Sequence, residues 1–142
     1  MERETGNITF DQRGCDFLLY LPAGRRIKLL HLTDMQIIDS SYQRFPDRLD
    51  AAETDCWKPE NQDVLCFDHI RSLVAQTGPD LILVTGDMVY GEFDDTGKTF
   101  CAFCDFMNGL QVPWAPVFGN HDNESLRGVA WQCARLEEGS AC

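Results

Sequence analysis

The residues best equipped for chemistry lie close together near position 120. Asn120-His121-Asp122-Asn123-Glu124 brings an amide oxygen, an imidazole and two carboxylates into five consecutive positions. Oxygen ligands of this kind suit hard cations, and an imidazole suits a borderline metal or a proton transfer near neutral pH. Two other short stretches carry matching groups, Asp34-Met35-Gln36 and Gly86-Asp87-Met88-Val89-Tyr90. Gly86 and Gly119 stand just before the polar groups, where a residue without Cβ lets the backbone turn sharply beside a ligand.

Each of the three stretches follows an apolar run. Ile27-Lys28-Leu29-Leu30-His31-Leu32-Thr33 and Asp80-Leu81-Ile82-Leu83-Val84-Thr85 read as strands, the second apolar on consecutive residues as a strand buried on both faces is. Val112-Pro113-Trp114-Ala115-Pro116-Val117-Phe118 is strand-sized and too rich in proline for a helix. Between them the pattern predicts helices over about 63–76 and 97–108, with a last helix over about 123–138. The first carries an apolar stripe of Val64, Phe67, Ile70, Val74 and Ala75, with Gly78 as the residue that ends it. The last carries Leu126, Val129, Ala130, Cys133 and Leu136. Strands alternating with helices mean an α/β domain with a mostly parallel sheet, and parallel strands deliver their C-terminal ends to one edge. Asp34, Asp87, Asn120 and His121 are therefore expected to converge.

The remaining segments frame this unit. Short apolar runs around residues 8–10 and 17–21 predict an N-terminal hairpin within 1–24, broken by Pro22-Ala23-Gly24. Residues 37–62 turn polar and read as a surface loop insertion with a helical turn near 49–54, either a plain excursion or a wall of the site. There is no internal repeat.

Composition narrows the partners. The chain has 142 residues, 44% of them hydrophobic, enough for one domain with a real core. With 12 basic and 23 acidic residues its net charge is −11, which disfavours a nucleic-acid backbone or an anionic membrane as partner. An acidic chain that binds phosphate does so through a cation rather than a basic patch. The polar residues 1–14 lack the apolar region of a signal peptide, and the apolar runs are too short to span a bilayer. The seven cysteines, odd in number and irregular in spacing, read as reduced thiols of a cytoplasmic protein. Cys101 and Cys104 form the one Cys-x-x-Cys pair, in an apolar setting with no histidine pair to complete a zinc site, and read as buried core residues.

The ordered set Asp34-x-Gln36, Gly86-Asp87 and Gly119-Asn120-His121-Asp122 resembles the calcineurin-like metallophosphoesterase superfamily, whose signature runs D-x-H, G-D, G-N-H-[DE]. The pattern covers residues 29–124, and residues 113–125 look most like the branch of purple-acid-phosphatase-like and Dcr2-type enzymes. The resemblance implies an α/β fold, the N-terminal half of a β-sandwich flanked by helices in four αββα layers. It implies hydrolysis of phosphate mono- or diesters, or of nucleotides, at two divalent or trivalent metal ions (Mn, Fe or Zn). Asp34 would bind the first metal, Asp87 would bridge the two, about 3.5–4 Å apart in such sites, and Asn120 would bind the second. His121 would face the substrate phosphate as general acid or charge stabiliser, and Asp122 would orient its imidazole.

Two departures qualify the match. Gln36 stands where the family usually has a metal-binding histidine, and offers only a neutral oxygen. Gly86-Asp87-Met88-Val89-Tyr90 fits the G-D-x-x-Y pattern of purple acid phosphatases, which also lack that histidine and bind ferric iron through the tyrosine. Gln36 and Tyr90 are thus candidate ligands, with aromatic packing beside the site as the alternative for Tyr90. The family's later histidines have no counterpart among His31, His69 and His121, so the chain reads as one incomplete domain. The competing expectations are a catalytically inert fragment that binds metal weakly or acts as an interaction module, and a small binding module whose loops are structural turns. A truncated sheet face would also favour self-association.

Overall fold

The computed structural model of the protein describes residues 9–13, 16–20, 24–39, 47, 50–56 and 63–138. Most of the expected surface loop, 37–62, lies outside the described residues. Strands β1 (Thr9–Arg13) and β2 (Asp16–Tyr20) pair antiparallel, with Thr9 opposite Tyr20 and Arg13 opposite Asp16. A short helix, α1 (Ala51–Cys56), begins with a reciprocal cap. The Asp50 carboxylate accepts the amides of Ala52 and Glu53, while the Glu53 carboxylate accepts the amide of Asp50.

The body of the fold is a three-stranded parallel sheet in the order β3 (Leu29–Leu32), β4 (Leu81–Thr85), β5 (Trp114–Val117). Helix α2 (Asp63–Thr77) connects β3 to β4, and α3 (Lys98–Gly109) connects β4 to β5. Gly78 ends α2 with φ of +54°, the left-handed conformation expected of its role, and its amide reaches the Val74 carbonyl at 2.9 Å. With the strands in sequence order, residues of both helices pack into one core against the same face of the sheet. Ile82, Val84 and Leu32 point into that face against Ile70, Phe100, Phe103, Cys104 and Met107. Each fully buried large side chain there contributes roughly 1.5–3 kcal/mol. The rings of Phe67 and Phe106 stack at 4.1 Å between the two helices.

The opposite face of the sheet is open among the described residues. Leu29 and Val117 are 57% and 62% exposed, and Leu81 and Leu83 are half-buried. β4 therefore alternates rather than being buried on both faces, a correction that follows from the shared side of the two helices. β5 occupies an edge of the sheet, where Pro116, lacking an amide donor, is tolerated.

Two helices differ in detail from their sequence patterns. In α2, Val64 is exposed and the inward stripe is Cys66, Phe67, Ile70 and Val74. The expected long last helix divides into a 3-10 turn, His121–Glu124, and helix α4 (Gly128–Glu137). Ser125 between them is extended, Leu126 is 79% exposed, and the inward residues of α4 include Trp131, Gln132 and Leu136. The break lets the turn seat against Gly91, where a Cβ would lie 2.3 Å from the His121 carbonyl oxygen.

Asp94 organises the start of α3. Its carboxylate accepts the amides of Thr99 at 2.8 Å and Phe100 at 3.0 Å, and its own carbonyl accepts the Ser125 hydroxyl at 2.8 Å. Burial pushes the carboxyl up from its ordinary pKa, against the lowering effect of those hydrogen bonds. Within α3, Cys104 is a buried free thiol whose pKa is pushed up to about 12 by burial, and Cys133 is also a free thiol. Cys101 is disulfide-bonded. The expectation of reduced core thiols thus fails at Cys101, which lies half-buried three positions from Cys104 and off the inward face. No described helix is long and apolar enough to cross a membrane.

Candidate functional site

The β3–β4 ladder does not simply end at Leu32 and Val84. It is interrupted and then resumes as a parallel bridge between Ile37 and Val89. Across the interruption, the Asp34 amide donates to the Gly86 carbonyl at 3.2 Å and the Gln36 amide to the Asp87 carbonyl at 2.9 Å. The Tyr90 amide then donates back to Ile37 at 2.9 Å. Asp34, Gln36 and Asp87 have φ values of +56°, +46° and +52°. The left-handed region is uncommon for residues other than glycine, and holding it costs of order 1–3 kcal/mol each unless the surroundings impose it. Pairing on both sides of the interruption imposes it here. Three of the expected site residues therefore sit in left-handed backbone on the two segments paired across the interruption.

The β5 loop is fastened to the segment after β4 by two carboxylates. Asp87 Oδ1 accepts the amide of His121 at 2.9 Å. A Cβ on Gly119 would stand 2.1 Å from that same oxygen, so only glycine leaves room for the Asp87 carboxylate. Asp122 is fully buried, and its carboxylate accepts three amides: Asp87 at 2.9 Å, Val89 at 3.1 Å and Gly119 at 2.8 Å. Its carbonyl accepts the side-chain amide of the buried Gln132 at 3.0 Å.

The imidazole of His121 has a different partner from the one expected. Glu124 Oε2 lies 2.7 Å from Nδ1, and the Tyr90 ring stacks on the imidazole at 4.4 Å and 25°. The ring nitrogen Nδ1 meets Glu124 rather than Asp122, whose carboxylate instead accepts the three backbone amides. The hydrogen bond that the imidazole donates to Glu124 holds its pKa above the ordinary value, against partial desolvation, and the nearby charges of Glu124, Asp87 and Glu92 add to the rise. Glu124 is thus a site residue that the sequence placed in the cluster but gave no role of its own. Its one sequence signal is the i to i+3 spacing from His121, which a helical turn brings to one side.

The remaining candidates divide. Asp34 is exposed and its carboxylate accepts the Thr33 hydroxyl at 2.5 Å, and Asn120 is exposed beside His121. Gln36 contributes its backbone to the paired segments, and Tyr90 contributes its ring to the imidazole. His31, on β3, is exposed with Nε2 at 2.6 Å from the Thr85 hydroxyl, and His69 is exposed on α2.

Asp34, Asp87 and Asn120 offer the oxygen donors that a hard cation prefers. Among the described residues, however, no three His, Cys, Asp or Glu side chains converge as a metal site. The donors fit a metal in kind and fall short of a two-metal centre in number. No step of a reaction can be placed on such a centre from these residues alone.

Parallel strands, left-handed aspartates at their ends and a Gly-Asn-His-Asp loop pinned beneath them define a phosphoesterase-type α/β unit. The chain matches the calcineurin-like phosphoesterases over residues 27–140 and belongs to that family. It is 31% identical over 103 residues to a protein of Arabidopsis thaliana named probable inactive purple acid phosphatase 14. It is 30% and 27% identical over 99 residues to probable inactive purple acid phosphatases 28 and 29 of the same plant. These matches cover about 70% of this chain (69% for two of them) and 24% of each relative, so the chain spans about a quarter of their length.

Proposed function

We propose that this chain supplies part of a metal-dependent phosphoesterase site. The reading rests on one observation above the others. Asp87 receives the amide of His121, which joins the Gly-Asp and Gly-Asn-His-Asp loops into a single unit with Asp34 alongside. Asp34, Asp87 and Asn120 would hold metal, together with ligands from outside the described residues. Bound metal ions would neutralise the ester and acidify a water. His121 would donate a proton to the leaving oxygen or stabilise its charge, and its raised pKa favours the protonated form that this role needs.

A second reading has its own support. Gln36 replaces the usual imidazole, and the Arabidopsis relatives are named as inactive. On that reading the loops are kept as a scaffold, and the chain binds metal weakly or serves as an interaction module. Titration calorimetry with Mn²⁺ or Zn²⁺, and hydrolysis of p-nitrophenyl phosphate and bis-p-nitrophenyl phosphate, separate the two. The phosphoesterase reading expects metal binding and hydrolysis that Asp87→Asn abolishes. Absent binding and turnover would sink it in favour of the scaffold.

A further inference from the structure

Two contacts hold the imidazole of His121, and they act in different directions. Glu124 meets Nδ1 at 2.7 Å in the plane of the ring, and Tyr90 covers one face of the ring at 4.4 Å. A carboxylate is an acceptor only, so Nδ1 must carry the hydrogen. Nε2 then projects from the far side of the ring, with no hydrogen bond to another group among the described residues. The imidazole side chain is 23% exposed, so this nitrogen belongs to a ring that solvent and a small ligand can reach. The backbone of His121 is tied separately, its amide donating to Asp87 Oδ1 at 2.9 Å.

We propose that Glu124 is a positioning residue that fixes His121 as its Nδ1–H tautomer and thereby commits Nε2 to the ligand-facing side of the loop. Tyr90 completes the constraint by restricting rotation of the ring about its bond to Cβ. For its chemical use this inference rests on the phosphoesterase reading: Nε2 is the atom that meets the phosphate ester. Its geometry does not need that reading. A carboxylate on one imidazole nitrogen orienting the other is a general device for ordering a reactive histidine.

The test is the tautomer of His121 in protein carrying nitrogen-15 histidine, read by two-bond nitrogen–proton correlation at alkaline pH, where the ring is neutral. His31→Gln and His69→Gln variants assign the signals. Wild type is expected to show Nδ1–H. Glu124→Gln, whose amide oxygen still accepts, is expected to keep it. Glu124→Ala is expected to revert to Nε2–H, the form imidazole prefers in water, with the backbone amide spectrum otherwise unchanged. If Glu124→Ala does not fold, wild type and Glu124→Gln still decide the matter.

Nε2–H in wild type, or Nδ1–H surviving in folded Glu124→Ala, would overturn the assignment. In protein that hydrolyses an ester, Glu124→Ala should lower kcat about tenfold or more with KM changed less, since a misdirected acid loses part of its catalytic contribution. An equal rise in KM with kcat unchanged would count against a positioning role. Protein inactive on every ester, yet with the expected tautomers, defeats the phosphoesterase reading and leaves the role of Glu124 standing.

Discussion

The carboxylate of Asp122 accepts the amide of Asp87 at 2.9 Å, joining two loops 35 positions apart in the chain. The same group takes the amides of Val89 and Gly119, so one buried side chain closes the site from below. A carboxylate shared by several backbone amides satisfies donors that burial would otherwise leave unpaired. It makes Asp122 a keystone of the loop's shape, and it leaves the imidazole of His121 to Glu124.

Asp122→Ala is expected to destabilise the protein by about 3 kcal/mol or more, since each buried amide left unpaired costs roughly 1–3 kcal/mol. Asp122→Asn should fall between, because it keeps one acceptor oxygen and turns an N–H toward the amides. Urea denaturation of the three proteins checks the order. A loss below about 0.5 kcal/mol for alanine, the range of ordinary surface changes, would contradict it.

Gly119→Ala tests the space reserved for Asp87. The added Cβ would meet Asp87 Oδ1 at 2.1 Å and the Asp87 amide nitrogen at 2.6 Å, so the carboxylate or the loop must move. Any metal binding or hydrolysis should fall at least as far as in Asp87→Asn, with a lowered Tm. Gly109→Ala is the control, because nothing lies within 4 Å of its added Cβ. Its Tm is expected to stay level or rise slightly, as alanine favours helix over glycine.

Asp80 gives the protein an acid-sensitive contact at the base of β4. Its carboxylate accepts both terminal nitrogens of Arg25, at 2.8 and 2.5 Å, and the Lys28 amide at 2.9 Å. The Arg25 hydrogen bonds first, then the Lys28 amide, hold the carboxyl below its ordinary pKa. A depressed folded pKa means that the stabilisation is fully present above the unfolded value, near 3.9, and is lost as pH falls through the folded one. Asp80→Asn should therefore lower Tm at pH 7. The difference from wild type should shrink as pH drops below about 4. A pH-independent difference across that range would rule out this linkage.

The open sheet face carries a prediction about association. Leu29 and Val117 stand more than half exposed on it, and parallel sheets are ordinarily covered on both faces. A protein of these 142 residues should bind a hydrophobic dye and associate with rising concentration in sedimentation experiments. Leu29→Lys with Val117→Lys should reduce both. A monomer at high concentration that binds no dye would show that the face is protected.

The sequence by itself determined which segments form the three parallel strands, the helices between them, and the polar residues after each strand. Those follow from periodicity and from turn chemistry, which are local properties. It also carried the family, through Asp34, Gly86-Asp87 and Gly119-Asn120-His121-Asp122. What it could not separate were chemically equivalent carboxylates. Asp122 and Glu124 are both acidic neighbours of His121, and only the fold decides that one is buried beneath the loop while the other reaches the ring.

The tertiary structure likewise decided that α2 and α3 share a face, leaving Leu29 and Val117 uncovered. It decided that the β3–β4 ladder resumes at Ile37 and Val89, holding Asp34, Gln36 and Asp87 in left-handed backbone. The division at Ser125, which makes the last helix begin only at Gly128, came from the seat of the 3-10 turn against Gly91. These features depend on which distant groups meet, and a hydrogen bond between loops 35 positions apart leaves no period in the chain for a sequence pattern to detect.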